Sequence, residues 1–389
     1  MRFLLFLLLL AAAPLRAQEP SAADYRADAR SIERLIADVY AYRERFPGNA
    51  VPMSDRLRRE AEAVADRRAL LRYAERALLA LADHHAITGA SFPDSWAVVP
   101  SFSDLWIERS GGEFVITSVR SGSPAALAGV RPGDVLQAIG EVPAAEAIAA
   151  FWRDLGLEPD DGRAAFAARV LAAGRRNALR RLTVRRAAAL IPLDLPSLYS
   201  LPRAERPPVN VERDGRRLRI RFNDSLGETA TIAAFDAAMA GARPGQPILL
   251  DLTDTPSGGN TTVARAILGW FVDRPRFYQV HNMPAEERRT GVARQWVEQV
   301  LPRPGKFHRG RVTVEVGRWT GSMGEGLAIG FDAVGADVAG TRMAGLLGAI
   351  YDHRLEHSGL VLKLPTERLA HVNGTPREDF VPRSTRPRR

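Results

Sequence analysis

Apolar residues recur at helical spacing from Ala22 to Arg45 and again from Ser54 to His85, with Pro47-Gly48 between the two runs. The stretch 22–86 therefore predicts a helical hairpin whose second helix is capped by Ser54. Amphipathic pairs of this kind bury one face on their own domain or on a twin subunit, so these helices are expected either to pack within the chain or to form a homodimer. From Leu105 the period changes. Leu105 to Arg109 and Glu113 to Val119 read as strands about a Gly111-Gly112 turn, followed by a short helix over 123–130, a Pro132-Gly133 turn and a strand after Asp134. Helical runs at Ala144 to Leu155 and Arg163 to Ala173 precede a closing strand at Leu182 to Val184, giving a β module with a helical insertion over 101–187. Five prolines between Pro192 and Pro208 predict a linker. Beyond it, a hairpin about Asp214-Gly215 and strands alternating with helices through Phe331 predict a parallel or mixed α/β sheet, with the core spanning 209–382.

Two glycine-rich turns in that core carry the chemistry. The first, Thr253 to Asn260, breaks the strand Pro247 to Leu252 ahead of a helix from Thr261 to Val272. The second, Gly317 to Gly326, joins the strand Val312 to Val316 to a helix with Ser322 at its start. A serine hydroxyl is a poor nucleophile unless it is held beside a base and beside N–H groups that receive a developing oxyanion. The backbone of Met323, at the positive end of a helix, suits the second task, and Gly258 and Gly259 let a second N–H approach a ligand closely. Ser322-x-x-Glu325 also reads as a capping box, and Asn260 as an ordinary helix cap.

Taken together, the two turns resemble those of the carboxyl-terminal processing (tail-specific) serine peptidases and the related tricorn core proteases. The family pattern is a strand, Asp-Leu-Arg-x-x-x-Gly-Gly and a helix, then a strand, Ser-x-x-Glu and a helix. This chain has one extra residue in the first turn and Thr253 in the arginine's place. The resemblance implies a Clp-protease/crotonase-like α/β core, Ser322 as nucleophile, and an oxyanion hole from Gly258 or Gly259 and Met323. The run Ser123 to Gly140 resembles a PDZ module, in which an extended peptide adds to a strand and its terminal carboxylate enters a backbone nest. Val115 and Ile116 are the expected peptide-binding positions. The matching carboxylate loop, Ser101 to Trp106, lacks glycine and carries Asp104.

The base is the departure from the family. Processing peptidases use a lysine about twenty-five residues after the serine; here the matching stretch is Gly340 to Leu346, with Leu346 in the lysine's place. Arg342 stays protonated and cannot accept a proton. Only Lys306 and Lys363 remain as lysines, and either would have to reach Ser322 by folding. The tricorn type pairs the serine with an early histidine and a late glutamate. No histidine stands near Ile220 to Ser225; Glu378 is the best match for the glutamate, and His353 is a candidate base in a polar run that also reads as an exposed hairpin.

Composition sets the surroundings. With 46% hydrophobic and 25% charged residues over 389 positions, the chain is globular and long enough for two or three domains. Met1-Arg2, the apolar run Phe3 to Ala13 and the following Pro14 to Ala17 read as a signal peptide over 1–17, too short to span a bilayer. That predicts a periplasmic or secreted protein. No cysteine is present, so there is no disulfide framework, lipid-attachment cysteine or thiolate metal site, and no metal or cofactor is expected. The net charge of +9 comes from arginines scattered among acids, with a basic tail over 383–389; this reads as a solvated surface that allows peripheral envelope contact, and no nucleic-acid motif appears. The sequence thus predicts a multidomain α/β (α+β) peptidase that cleaves unfolded or tail-exposed polypeptides. A peptide-binding protein that kept the core and lost the base is the alternative; a crotonase-like thioester enzyme is disfavoured by the PDZ-like module and by export.

Overall fold

The computed structural model describes residues 19–202 and 205–383; the signal-peptide reading and nearly all of the basic tail lie outside them. The N-terminal unit comprises α1 (Ala22–Val39), α2 (Asp55–Glu62), α3 (Arg67–Leu79) and the short strand β1 (Ile87–Thr88). The second predicted helix is therefore two. Asp66 ends the continuity by capping α3, its side chain accepting from Ala69 N–H at 2.7 Å.

The module contains β2 (Leu105–Ser110), β3 (Glu113–Val119), α4 (Pro124–Leu127), β4 (Val135–Ile139), β5 (Val142–Pro143), α5 (Ala144–Asp154), α6 (Asp161–Ala173), β6 (Arg180–Arg186) and β7 (Ala189–Leu195). Its sheet runs β2-β3-β4-β6-β7, with β5 on β4. The strand β7 moves the start of the predicted linker from Pro192 to Pro196: Pro192 pairs with Thr183 on an edge strand, the place in a sheet where proline is tolerated. Asp104 and Arg180 form a buried ion pair at 2.6 Å, and Asp104 also accepts from Ala125 N–H at 3.1 Å. The aspartate that replaces the usual loop glycine thus pins the loop to the sheet. Arg180→Ala leaves that carboxylate buried and unpaired, and should cost about 3–5 kcal/mol of stability in urea unfolding; a loss below about 1 kcal/mol would show that the pair is dispensable.

The core continues with β8 (Val209–Arg213), β9 (Leu218–Phe222), α7 (Ala230–Ala240), β10 (Ile248–Asp251), α8 (Thr261–Leu268), β11 (Arg276–Asn282), α9 (Pro284–Thr290), β12 (Gln295–Val300), β13 (Val312–Val316), α10 (Met323–Ala333), β14 (Asp337–Gly340), β15 (Ala349–Arg354) and β16 (Val361–Ala370). Its main sheet has the order β14-β13-β10-β9-β8, parallel except for the β8–β9 hairpin. Because β9, β10 and β13 run the same way, the loops after them meet at one end, where open α/β sheets place their ligands. A second sheet, β1-β16-β11-β12 with β15 on β16, ties the N-terminal unit to the C-terminal strand. The N-terminal helices share one apolar core with the module, which includes Ile36, Leu70, Ile107 and Phe166.

Candidate active site

The loops after β10 and β13 are laced together by their backbones. Thr255 N–H donates to Trp319 O at 2.8 Å, Gly321 N–H donates to Thr255 O at 3.2 Å, and the Thr320 hydroxyl donates to Leu252 O at 2.7 Å. At their junction Ser322 is the N-cap residue immediately before α10, with φ 51°, in the left-handed region uncommon for a residue with a β-carbon. Such strain persists only where the surroundings over-determine it. Gly258 lies against the serine with φ +71°: a β-carbon there would sit 2.5 Å from Ser322 Cβ, 2.9 Å from its hydroxyl and 3.1 Å from Met323 N. Gly259 is equally confined, since its β-carbon would fall 2.1 Å from Leu226 O. The fold therefore brings Ser322, Gly258 and Met323 N into one small volume, with Gly259 beside them.

Beside Ser322, Glu325 is fully buried, and it accepts from the N–H groups of Ser322 (2.8 Å), Gly345 (2.8 Å) and Leu346 (3.2 Å). Burial pushes its carboxyl up to about 7, against the opposing pull of Arg377 and these backbone donors. Arg377 is itself buried, 4.0 Å from Glu325, and donates to Leu346 O at 2.8 Å and Gly348 O at 2.7 Å. This pair clamps the 345–348 segment against the Ser322 turn. Leu346 is buried beside it, its Cδ1 3.2 Å from where a β-carbon on Gly321 would be, so the lysine's place is filled by an apolar side chain.

The expected bases are not brought to the serine. Lys306 pairs with Asp236, and Lys363 pairs with Asp352 at 2.6 Å. His353 lies on β15 opposite Leu362, with Nε2 2.8 Å from Thr366 Oγ1; burial holds its pKa below the usual imidazole range. Glu378 sits in a short turn after Pro376, next to the Tyr42 hydroxyl, and burial raises its carboxyl. It is the neighbouring Arg377, which the sequence reading passed over, that reaches the Ser322 surround. A further histidine, His281, is buried between carboxylates, with Nδ1 on Glu367 and Nε2 3.2 Å from Glu298. Burial opposes its charge, yet the two glutamates push it up to about 9, and an imidazolium is no base. Among the described residues, no cluster of histidine and carboxylate side chains is arranged to hold a metal.

The β module of residues 101–195 is docked on these loops. Arg120 binds Asp254 at 2.7 Å, Trp319 Nε1 donates to Ser103 O at 2.8 Å, and Arg318 pairs with Glu108. The expected groove strand is corrected. Ile116 is buried, its N–H donates to Asp134 O, and β3 is paired on both sides, at Val115 with Glu108 and Val135, so β3 has no free edge for a peptide. The edges of this sheet are β7 and β2, and at β2 Arg169 of α6 donates to Ile107 O at 2.9 Å.

No protein-family model matches the sequence, and no curated protein matches it significantly. Solved structures do. The photosystem II D1 C-terminal processing protease superposes with a TM-score of 0.54 at 14% identity, covering 92% of both chains. Mature CPAF complexed with lactacystin superposes with a TM-score of 0.57 at 14% identity, covering 93% of both. The chain has the fold of these proteases. The resemblance carried by two short turns thus extends over almost the whole length, with the N-terminal unit and the module included in the superposition.

Proposed function

We propose that the chain is a serine-type endopeptidase of the C-terminal processing class, acting through a Ser322 acyl-enzyme. The observation that carries this reading is the strained Ser322 at a helix start, with Gly258 and Met323 N packed against it. Strain of this kind aims a hydroxyl outward, and the adjoining N–H of Met323 is placed for an oxyanion. In the proposed reaction the hydroxyl attacks the scissile carbonyl and the amine departs with a proton. Water then hydrolyses the ester and regenerates the serine. The substrates we propose are exposed tails of unfolded envelope proteins in the periplasm, a reading supported by the apolar run Phe3 to Ala13 and by the absence of cysteine. Hydrolysis of an unstructured protein such as casein, compared with the Ser322→Ala variant, tests it.

Leu346 favours a second reading, in which the fold binds peptides without cutting them efficiently. Leu346→Lys separates the two. The new ammonium would sit in a buried place that lowers its pKa and frees its lone pair. Installing this base should raise casein turnover about tenfold or more toward alkaline pH, and an unchanged rate in a folded variant would show that more than the base is missing.

A further inference from the structure

Resting on the reading of Ser322 as nucleophile, we infer that Asp224 is a positioning residue that fixes the oxyanion loop by gripping it at Ser257. Asp224 follows β9 in the loop that meets those of β10 and β13, and its φ of 58° is left-handed. Its Oδ1 accepts from Ser257 N–H at 2.9 Å and its Oδ2 from the Ser257 hydroxyl at 2.6 Å. Ser257 is the residue directly before Gly258. Two residues after Asp224, Leu226 O accepts from Asn260 N–H at 3.2 Å, directly after Gly259, and leaves no room for a side chain on Gly259.

The segment 224–226 therefore holds the Gly258-Gly259 pair from both flanks. Its own geometry is the unusual, costly part: a non-glycine residue held left-handed so that both carboxylate oxygens face one serine. Asp254, earlier in the same loop, is held by Arg120 at 2.7 Å and Arg221 at 3.3 Å. A donor displaced by a few tenths of an ångström is felt in the tetrahedral state more than in substrate binding. The partner of Asp224 is Ser257 and not Ser322, so its effect passes through the backbone of 257–259.

Three variants separate the carboxylate from the backbone. Asp224→Gly removes the carboxylate and relieves the left-handed strain, Asp224→Ala removes the carboxylate and keeps the strain, and Asp224→Asn keeps an acceptor and tolerates the conformation. The readouts are the rate of Ser322 labelling by a fluorophosphonate, kcat and KM on casein-derived peptides, and amide hydrogen exchange at 257–260. Asp224→Gly and Asp224→Ala should each slow labelling and kcat about 10- to 100-fold, with KM within about threefold, and both should speed exchange at 257–260. Asp224→Asn should restore most of the rate. A glycine variant that labels and exchanges like wild type overturns the inference, as does a loss confined to KM or an asparagine variant as slow as glycine. Failure of the wild type to label at Ser322 instead removes the nucleophile reading itself, and the inference falls with it.

Discussion

Ser322→Ala should abolish peptide-bond hydrolysis and leave the protein folded. The substitution removes the hydroxyl that lies 2.9 Å from where a β-carbon on Gly258 would be, beside Met323 N. Glu325 is occupied by three N–H groups, and a carboxylate so engaged does not replace the serine. The structural cost is small. Losing an N-cap costs about 0.5–2 kcal/mol, while the bond from Ser322 N–H to Glu325 is made by the backbone and survives in alanine. Casein cleavage and thermal unfolding, measured on the same preparation, check both halves. Cleavage at the wild-type rate by the alanine variant would remove Ser322 from the mechanism.

Gly258→Ala has the next largest expected effect, and it acts by crowding Ser322 and the neighbouring N–H while leaving the hydroxyl in place. The new methyl would lie 2.9 Å from the Ser322 hydroxyl and 3.1 Å from Met323 N, so either the loop or the nucleophile moves. The φ of +71° adds strain that glycine does not feel. One misplaced oxyanion donor is worth about a hundredfold or more in rate. Turnover should therefore fall by about a hundredfold or more while peptide affinity changes by less than about tenfold. Steady-state kcat together with binding of a peptide to the inactive Ser322→Ala background resolves the two. Equal losses in both would mean that the loop has collapsed rather than shifted.

The two loops were legible in the sequence because their signals are local: glycines where backbones touch, and Ser-x-x-Glu at a helix start. What was hidden depends on partners far along the chain. Asp104 looked like a defect in a carboxylate loop until Arg180, 76 positions later, supplied its counter-charge. Glu378 matched a family ending, yet the neighbouring Arg377 is the side chain that packs against Glu325, and no local pattern distinguishes one from the other. Pro192 read as a linker because a proline argues against a strand, and only the edge position of β7 makes it harmless. The inserted helix α6 was visible as a helix, but its place along the edge of β2 was not. Asp224 carries no signature at all. Its role rests on a left-handed backbone and on Ser257, thirty-three residues away.

The central claim is that Ser322 is an activated nucleophile, and a fluorophosphonate probe tests it most directly. The probe forms a covalent bond only with a serine whose hydroxyl can attack and whose oxyanion is stabilised. Incubation of the folded protein, followed by peptide mapping in a mass spectrometer, should place one phosphonyl adduct on Ser322 and none in the Ser322→Ala variant. A wild-type protein that stays unlabelled, or an adduct on another serine that persists in the alanine variant, would contradict the account.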